Sequence, residues 1–166
     1  MVRQRNKSRQ GLSATEVRDE DVDVTFMVWL TSRATTDLLD AALAPTGMDS
    51  DEFAIYSVLN ATQSITPTEL ARWMAAPPTT VSSYVKRFEA RGHVKREPNP
   101  ADRRSYQIKL TSAGRRAYRA AAALFIPLRT EVASRLGDRH EEVHEALVTL
   151  RTVLDELRHP PLDETE

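Results

Sequence analysis

Apolar residues recur at helical spacing along most of this chain, and the period changes to strand-like alternation only near residues 93–110. One helix is predicted from residue 19 to about residue 44, with acidic residues in its first turn. The next helix is predicted to be capped by Asp49 together with Glu52. These patterns predict a mainly helical fold with one small β-hairpin.

The segment that follows residue 64 has the pattern of two short helices joined by a tight turn. Thr66 and Glu69 have the spacing of a capping box, and a proline follows Thr66 at the first helical position. The second helix is predicted from Pro78 to about Arg91, with Gly92 ending it. Two helices in this arrangement predict a helix-turn-helix.

The second of these helices is amphipathic, with an apolar stripe made by Val81, Tyr84, Val85 and Phe88. Its opposite face carries short polar side chains and basic residues, which can approach base edges and phosphates. Together with the start of the first helix, this face supplies the predicted DNA contacts Thr66, Thr68, Pro78, Thr79, Thr80, Ser82, Ser83, Lys86 and Arg87.

Two short strands, at residues 93–97 and 105–110, flank a loop that is held by two prolines and tipped by Arg103 and Arg104. A hairpin with arginines at its tip, beside a recognition helix, is a wing. Guanidinium groups at such a tip suit the narrow minor groove. Asp102 is expected to position one of these arginines by a charge-assisted hydrogen bond.

Five stretches occur in order here: Thr66–Ala71, Thr80–Ser82, Arg87–Gly92, Asp102–Arg104 and Leu110–Arg115. With them, residues 48–119 resemble the MarR (multiple antibiotic resistance regulator) family of winged helix-turn-helix repressors. The resemblance implies a homodimer that binds a pseudo-palindromic operator in double-stranded DNA and is often released by a small ligand.

Two positions depart from the pattern of that family. Ala75 stands where the turn between the helices usually has glycine, and Pro77 stands where a serine usually caps the second helix. An alanine held at positive φ costs about 1 kcal/mol. A recognition helix without a side-chain cap leaves its first N–H groups free to meet a phosphate.

The net charge of −1 hides a segregation of charge along the chain. Residues 63–119 carry 12 Lys and Arg against 4 Asp and Glu, whereas residues 19–62 carry 1 against 9. Residues 1–18 are also basic, and residues 120–166 are acidic. Positive charge is therefore gathered at the predicted helix-turn-helix and wing, as DNA binding requires.

The last two helices are predicted from Thr111 to about Leu136, where Pro127 should kink or break the helix, and from Asp138 to His159. The final helix has leucines and a valine at heptad spacing, which need a partner helix. With the first helix they form the predicted dimer interface, which consists of Val22, Phe26, Val143, Leu147, Leu150, Leu154 and Leu157.

Residues 140–144, His-Glu-Glu-Val-His, match the zinc-protease motif, with Glu141 as a candidate base and Glu164 as a candidate third ligand. The motif begins a surface helix, and nothing around it resembles the cleft of such an enzyme, so we predict no catalytic or metal site and no cofactor. A weaker prediction is an effector pocket for an aromatic or anionic molecule, lined by Phe26, Trp29, Arg33 and Tyr56.

Cysteine is absent, which excludes disulfides and cysteine metal sites, and no apolar run has membrane-spanning length. We therefore expect a cytoplasmic protein. The predicted organisation is a basic arm at 1–18, a dimerisation helix at 19–47, a winged helix-turn-helix at 48–112, dimerisation helices at 113–159 and a tail at 160–166. The alternatives are a winged-helix module that binds proteins instead of DNA, and a zinc hydrolase.

Overall fold

The computed structural model describes residues 22–102 and 104–158. The predicted arm at 1–18, Arg103 and the tail at 160–166 lie outside the described residues. Within them, the elements are α1 (Val24–Leu43), α2 (Ser50–Thr62), α3 (Pro67–Trp73), α4 (Pro78–Ala90), β1 (Val94–Pro98), β2 (Tyr106–Leu110), α5 (Ser112–Leu136) and α6 (His140–Arg158). Short 3₁₀ turns follow α1 and α5. The mainly helical fold with one hairpin is confirmed.

The core lies where α2, α4, the hairpin and the first half of α5 meet. It contains the apolar stripe of α4, in which Val81, Val85 and Phe88 are buried. α2 contributes Phe53, Ile55, Tyr56 and Leu59. Burial of this apolar surface holds the recognition helix against the rest of the fold.

The strands of the hairpin are antiparallel, with Val94 paired to Leu110 and Pro98 paired to Tyr106. Ile65, just before α3, adds a single bridge to Ile108. Its N–H donates to the carbonyl of Ile108 at 3.2 Å, and the return bond is 2.8 Å. The helix-turn-helix and the wing are therefore joined through the backbone.

Gly114 allows α5 to pack against the start of the hairpin. A Cβ at this position would overlap the backbone carbonyl of His93. The adjoining Thr111 caps α5 by accepting from the N–H of Gly114 at 3.1 Å, and its hydroxyl donates to the carbonyl of Gly92 at 2.7 Å. α5 is thereby fixed to the junction between α4 and β1.

The structure corrects one sequence prediction about the start of a helix and makes two others more specific. α1 begins at Val24 instead of residue 19, because Asp23 caps it by accepting from the N–H groups of Thr25 and Phe26. Asp49 caps α2 by accepting from the N–H of Glu52 at 2.7 Å, but the Glu52 carboxylate is directed to Arg87 and Arg91 and does not complete a capping box. α5 runs through Pro127 without ending there, so of the two predicted outcomes, a kink or a break, the break does not occur.

Candidate nucleic-acid interface

α3 begins with the predicted capping box. The N–H of Glu69 donates to the hydroxyl of Thr66 at 3.3 Å, and the N–H of Thr66 donates to the Glu69 carboxylate at 2.9 Å. The second bond lowers the pKa of Glu69, since it stabilises the ionised carboxylate. After α3, Ala75 adopts a φ of 47°, the left-handed conformation expected of the missing glycine.

α4 starts at Pro78 without a side-chain cap, as the sequence predicted. Six of the predicted contacts on this helix, Pro78, Thr79, Thr80, Ser83, Lys86 and Arg87, are exposed, and Ser82 is half-buried. The Ser83 hydroxyl donates to the carbonyl of Thr79 at 3.0 Å, so its oxygen remains able to accept. The face opposite the core stripe therefore carries polar, mostly short side chains that are exposed to solvent.

Arg87 lies at the edge of this face and is already engaged. Its Nη2 is 3.0 Å from Oε1 of the buried Glu52, and its guanidinium lies 4.6 Å from the centre of the Tyr84 ring. Its side chain remains 50% exposed. Arg87 therefore contacts residues of α2 and α4 and still exposes half of its side chain to solvent.

The loop of the wing is ordered by local hydrogen bonds. The side-chain amide of Asn99 donates to the hydroxyl of Ser105 at 2.7 Å, and the N–H of Ala101 donates to the Asn99 side chain. Asp102 accepts from the main-chain N–H of Arg104 at 2.9 Å. Among the described residues, the Asp102 carboxylate therefore bonds to the backbone of Arg104.

Ion pairs attach the wing to α4 and tie its strands together. Arg96 of β1 pairs with Glu89 of α4 at 2.7 Å. Glu97 pairs with Lys95 on its own strand and with Lys109 across the hairpin on β2, both at 2.6 Å. The hydrogen bonds from Lys109 and then Lys95 lower the pKa of Glu97 to about 2. The Arg96–Glu89 pair thus attaches the wing to α4, and the Lys109–Glu97 pair joins the two strands of the hairpin.

The start of α3 and the wing face each other across a cleft of about 400 Å³. Thr66, Thr68 and Arg104 are among the residues that line it. Three predicted contacts from two separate segments are therefore brought together on one side of the molecule.

Comparison with known proteins identifies this part of the chain. Residues 46–105 match the family model described as the MarR family. This segment of the chain is therefore similar to the MarR family.

Two curated relatives are about a quarter identical to the chain over the residues that align. The multiple antibiotic resistance protein MarR of Escherichia coli is 24% identical over 102 residues, which is 61% of this chain and 71% of that protein. The HTH-type transcriptional repressor Rv2887 of Mycobacterium tuberculosis is 25% identical over 117 residues, covering 70% and 84%.

Solved structures share the fold. The transcriptional regulator MOSR of M. tuberculosis, in complex with DNA, superposes with a TM-score of 0.72 at 24% identity, covering 82% of this chain and 99% of that one. A mutant of E. coli MarR complexed with operator DNA gives a TM-score of 0.70 at 24% identity, covering 82% and 96%. The winged-helix architecture predicted from the sequence is confirmed by these likenesses.

The four residues predicted to line an effector pocket do not share one environment in the structure. Phe26 and Trp29 stack on each other along α1, with ring centres 5.5 Å apart, and both are exposed, as is Arg33. Tyr56 is fully buried, and its ring contacts are with Phe88 and His93. Tyr56 is therefore a core residue.

The predicted dimer residues lie along the two outer helices. Val143, Leu147, Leu154 and Leu157 are exposed, Leu150 is half-buried, and Val22 is half-buried just before α1. α1 and α6 enclose an apolar groove of about 820 Å³, which includes Val143, Leu147 and Leu150 in its lining. Phe26 lies on a neighbouring face of α1 and is not part of this lining.

The zinc-protease motif forms the exposed first turns of α6. His140, Glu141 and His144 are all exposed. Among residues 22–102 and 104–158, no three metal-ligating side chains are gathered at one place. In the same ranges, no helix has both the length and the apolar character needed to cross a bilayer.

Sequence reasoning missed a cluster that lies behind the recognition helix. Asp51 and Glu52 of α2 contact Tyr84, Arg87 and Arg91 of α4. A signal was present, because Glu52 is spaced i, i+3, i+4 and i+7 with the core residues of α2. An acid on an apolar stripe needs a partner, and the partner lies more than thirty residues away.

Proposed function

We propose that this protein is a transcriptional repressor that binds double-stranded DNA through α4 and the wing. The proposal rests chiefly on the open polar face of α4 beside the cleft that carries Arg104. In this arrangement Thr79, Ser83 and Lys86 enter the major groove, and Arg104 meets the adjacent minor groove. Arg103, outside the described residues, joins Arg104 in this role.

The charge of the segment supports the same function. Residues 63–119 carry the large excess of Lys and Arg, which supplies the salt-dependent phosphate contribution to affinity. Base edges then provide the specificity. The printed names of the relatives support a regulator, since Rv2887 is called a transcriptional repressor and E. coli MarR was solved with operator DNA.

A homodimer on a pseudo-palindromic operator completes the proposal. The outer faces of α1 and α6 leave large apolar side chains such as Trp29, Leu147 and Leu157 exposed, and they flank an apolar groove, as is typical of a surface that binds a partner. The heptad spacing of Leu147, Leu150 and Leu154 suits a second copy of α6. Two recognition helices related by a twofold axis would meet DNA about 34 Å apart.

Fluorescence anisotropy on labelled DNA from upstream of the gene tests the function, with a scrambled duplex of equal length as reference. Wild-type protein should prefer the upstream DNA, and its affinity should fall steeply with salt. Lys86→Ala should weaken binding about tenfold. The matched control is Arg139→Ala, because this exposed arginine lies beyond the end of α5, about 37 Å along that helix from the wing.

Two results would count against the proposal. Equal losses in Lys86→Ala and Arg139→Ala would mean that the α4 face is not the contact surface. Absence of binding to any duplex, in a protein that is folded and dimeric, would favour the winged-helix module that binds proteins.

A further inference from the structure

Glu52 is an acidic side chain in the first turn of α2 with only 2% of its surface exposed. Its two carboxylate oxygens have different partners on the recognition helix. Oε1 is 3.0 Å from Nη2 of Arg87, and Oε2 accepts from Nη1 of Arg91 at 2.8 Å. One buried carboxylate thus joins two arginines that are one helical turn apart.

A second contact lies beside this pair. The hydroxyl of Tyr84 donates to Asp51 at 3.0 Å, and the guanidinium of Arg87 lies over the Tyr84 ring. Two adjacent residues of α2 therefore hold three residues of α4. Together these five side chains form an α2–α4 clamp, which consists of Asp51, Glu52, Tyr84, Arg87 and Arg91.

The clamp occupies one flank of the recognition helix. At 100° per residue, Tyr84, Arg87 and Arg91 fall between the buried stripe and the polar face. Apolar contacts are non-directional, so the buried stripe alone leaves the rotation of α4 about its axis loosely defined. Hydrogen-bonded ion pairs have directions, and two of them attached to one buried carboxylate define that rotation.

We propose that Glu52 is a positioning residue for DNA recognition. It fixes the rotation of α4 that presents Thr79, Ser83 and Lys86 to base edges, and it keeps Arg91 directed inward, away from phosphates. The proposal rests on the proposed function of α4 in DNA binding, and it adds a specificity-determining residue that does not touch DNA.

Charge and positioning make opposite predictions for Glu52→Gln. Removing a negative charge close to the DNA-binding surface should strengthen binding to any duplex, because phosphates are then repelled less. Loss of positioning weakens only the base contacts, since those require accurate placement of side chains. The ratio of specific to non-specific affinity separates the two effects.

The first experiment measures this ratio for wild type and two variants, with selected and scrambled duplexes of equal length. Glu52→Gln and Arg91→Gln change the charge in opposite directions, yet both break the clamp. Each should lower the ratio about tenfold, a loss in the range expected for one base contact. Arg91→Gln leaves Glu52 paired with Arg87, which protects the fold if Glu52→Gln is unstable.

The control is Glu131→Gln, which removes an exposed ion pair with Arg135 on α5 and should leave both affinities unchanged. Circular dichroism establishes that each variant is folded. If Glu52→Gln strengthens binding to both duplexes and Arg91→Gln weakens binding to both, with the ratio constant in each, the residues act through charge alone and the proposal is overturned.

A second experiment needs no DNA. Amide hydrogen exchange in the free protein should become faster at residues 79–90 in Glu52→Gln and unchanged in α5. Exchange in α4 as slow as in wild type would overturn the clamp. If wild type binds no DNA but α4 exchange rises in the variant, the clamp holds α4 and the DNA-binding function is what has failed.

Discussion

Tyr56 in α2 and His93 at the start of the wing hairpin are joined by a hydrogen bond of 2.7 Å between the phenol oxygen and Nδ1. Burial raises the pKa of Tyr56 to about 12, so the phenol keeps its proton at neutral pH. The same tyrosine packs edge-on against Phe88 of the recognition helix. The side chain of Tyr56 therefore contacts both the recognition helix and the start of the wing hairpin.

This pair gives the fold a predicted pH dependence. Burial, followed by the positive charge of Arg91, lowers the pKa of His93 below 6.5 in the folded protein. The unfolded chain then binds a proton more readily than the folded one as pH falls below 6.5. The contribution of His93 to stability is therefore complete above that pH and is lost on acidification.

Chemical denaturation at a series of pH values checks this. His93→Asn, whose side-chain amide can replace Nδ1 as donor or acceptor but does not titrate, should flatten the fall in the free energy of unfolding between about pH 7 and pH 5. His140→Asn is the matched control, since His140 is exposed on α6. If the free energy of unfolding of wild type and His93→Asn depended on pH in the same way, His93 would not be the cause of the pH dependence.

The turn of the helix-turn-helix contains stored backbone strain at Ala75. Its φ of 47° is costly for any residue with a Cβ, so Ala75→Gly should raise the free energy of unfolding by about 0.5–1 kcal/mol. Ala76→Gly should do the opposite, because the φ of Ala76 is negative and its methyl packs on the core. Thermal melts of both variants measure the difference; a loss of stability in both would exclude strain at Ala75.

The local features of the fold were accessible from sequence because they are encoded within four residues of one another. The capping box of Thr66 and Glu69, the Thr111 cap and the glycine at residue 92, with a φ of 68°, all formed as predicted. The α4 core stripe is buried for the same reason, since helical period fixes which positions share a face.

Features that depend on packing between distant segments were not accessible. Glu52 was interpreted as part of a helix cap, because only its neighbours in sequence were visible. Its partners, Arg87 and Arg91, become neighbours only after α2 packs against α4. Tyr56 was assigned to a pocket for a similar reason, since an aromatic at helical spacing gives no indication of which helix face is covered.

The arginines of the wing should matter by shape as well as charge. Arg103→Ala combined with Arg104→Ala should weaken operator binding about tenfold or more at moderate salt. The matched variant carries lysine at both positions. It keeps the charge but not the planar guanidinium, and should recover only part of the affinity. Full recovery in the lysine variant would mean that the minor groove shape is not read.

The apolar groove predicts how the dimer can be broken. Leu150→Asp places a charge among apolar residues of α1 and α6, and should weaken dimerisation about tenfold or more. Thr152→Asp adds the same charge to an exposed position on α6 outside the groove and should leave the dimer intact. Analytical ultracentrifugation measures the dimer dissociation constant of each variant. Equal constants for the two variants would mean that the groove is not the dimer interface.

α6 also reaches the helix-turn-helix within one subunit. Nη2 of Arg158 donates to the carbonyl of Ala75 at 3.3 Å, in a cleft of about 500 Å³ between the turn and the end of α6. Dimerisation through α6 would therefore influence the position of the turn between α3 and α4.

The most direct test of the account is selection of bound duplexes from a random DNA pool with purified wild-type protein. We predict enrichment of two inverted half-sites whose centres are about 10 base pairs apart, because a twofold dimer presents its recognition helices one turn of DNA apart. Enrichment of no sequence, or of a single half-site without a symmetric partner, would contradict a dimer that reads DNA with α4.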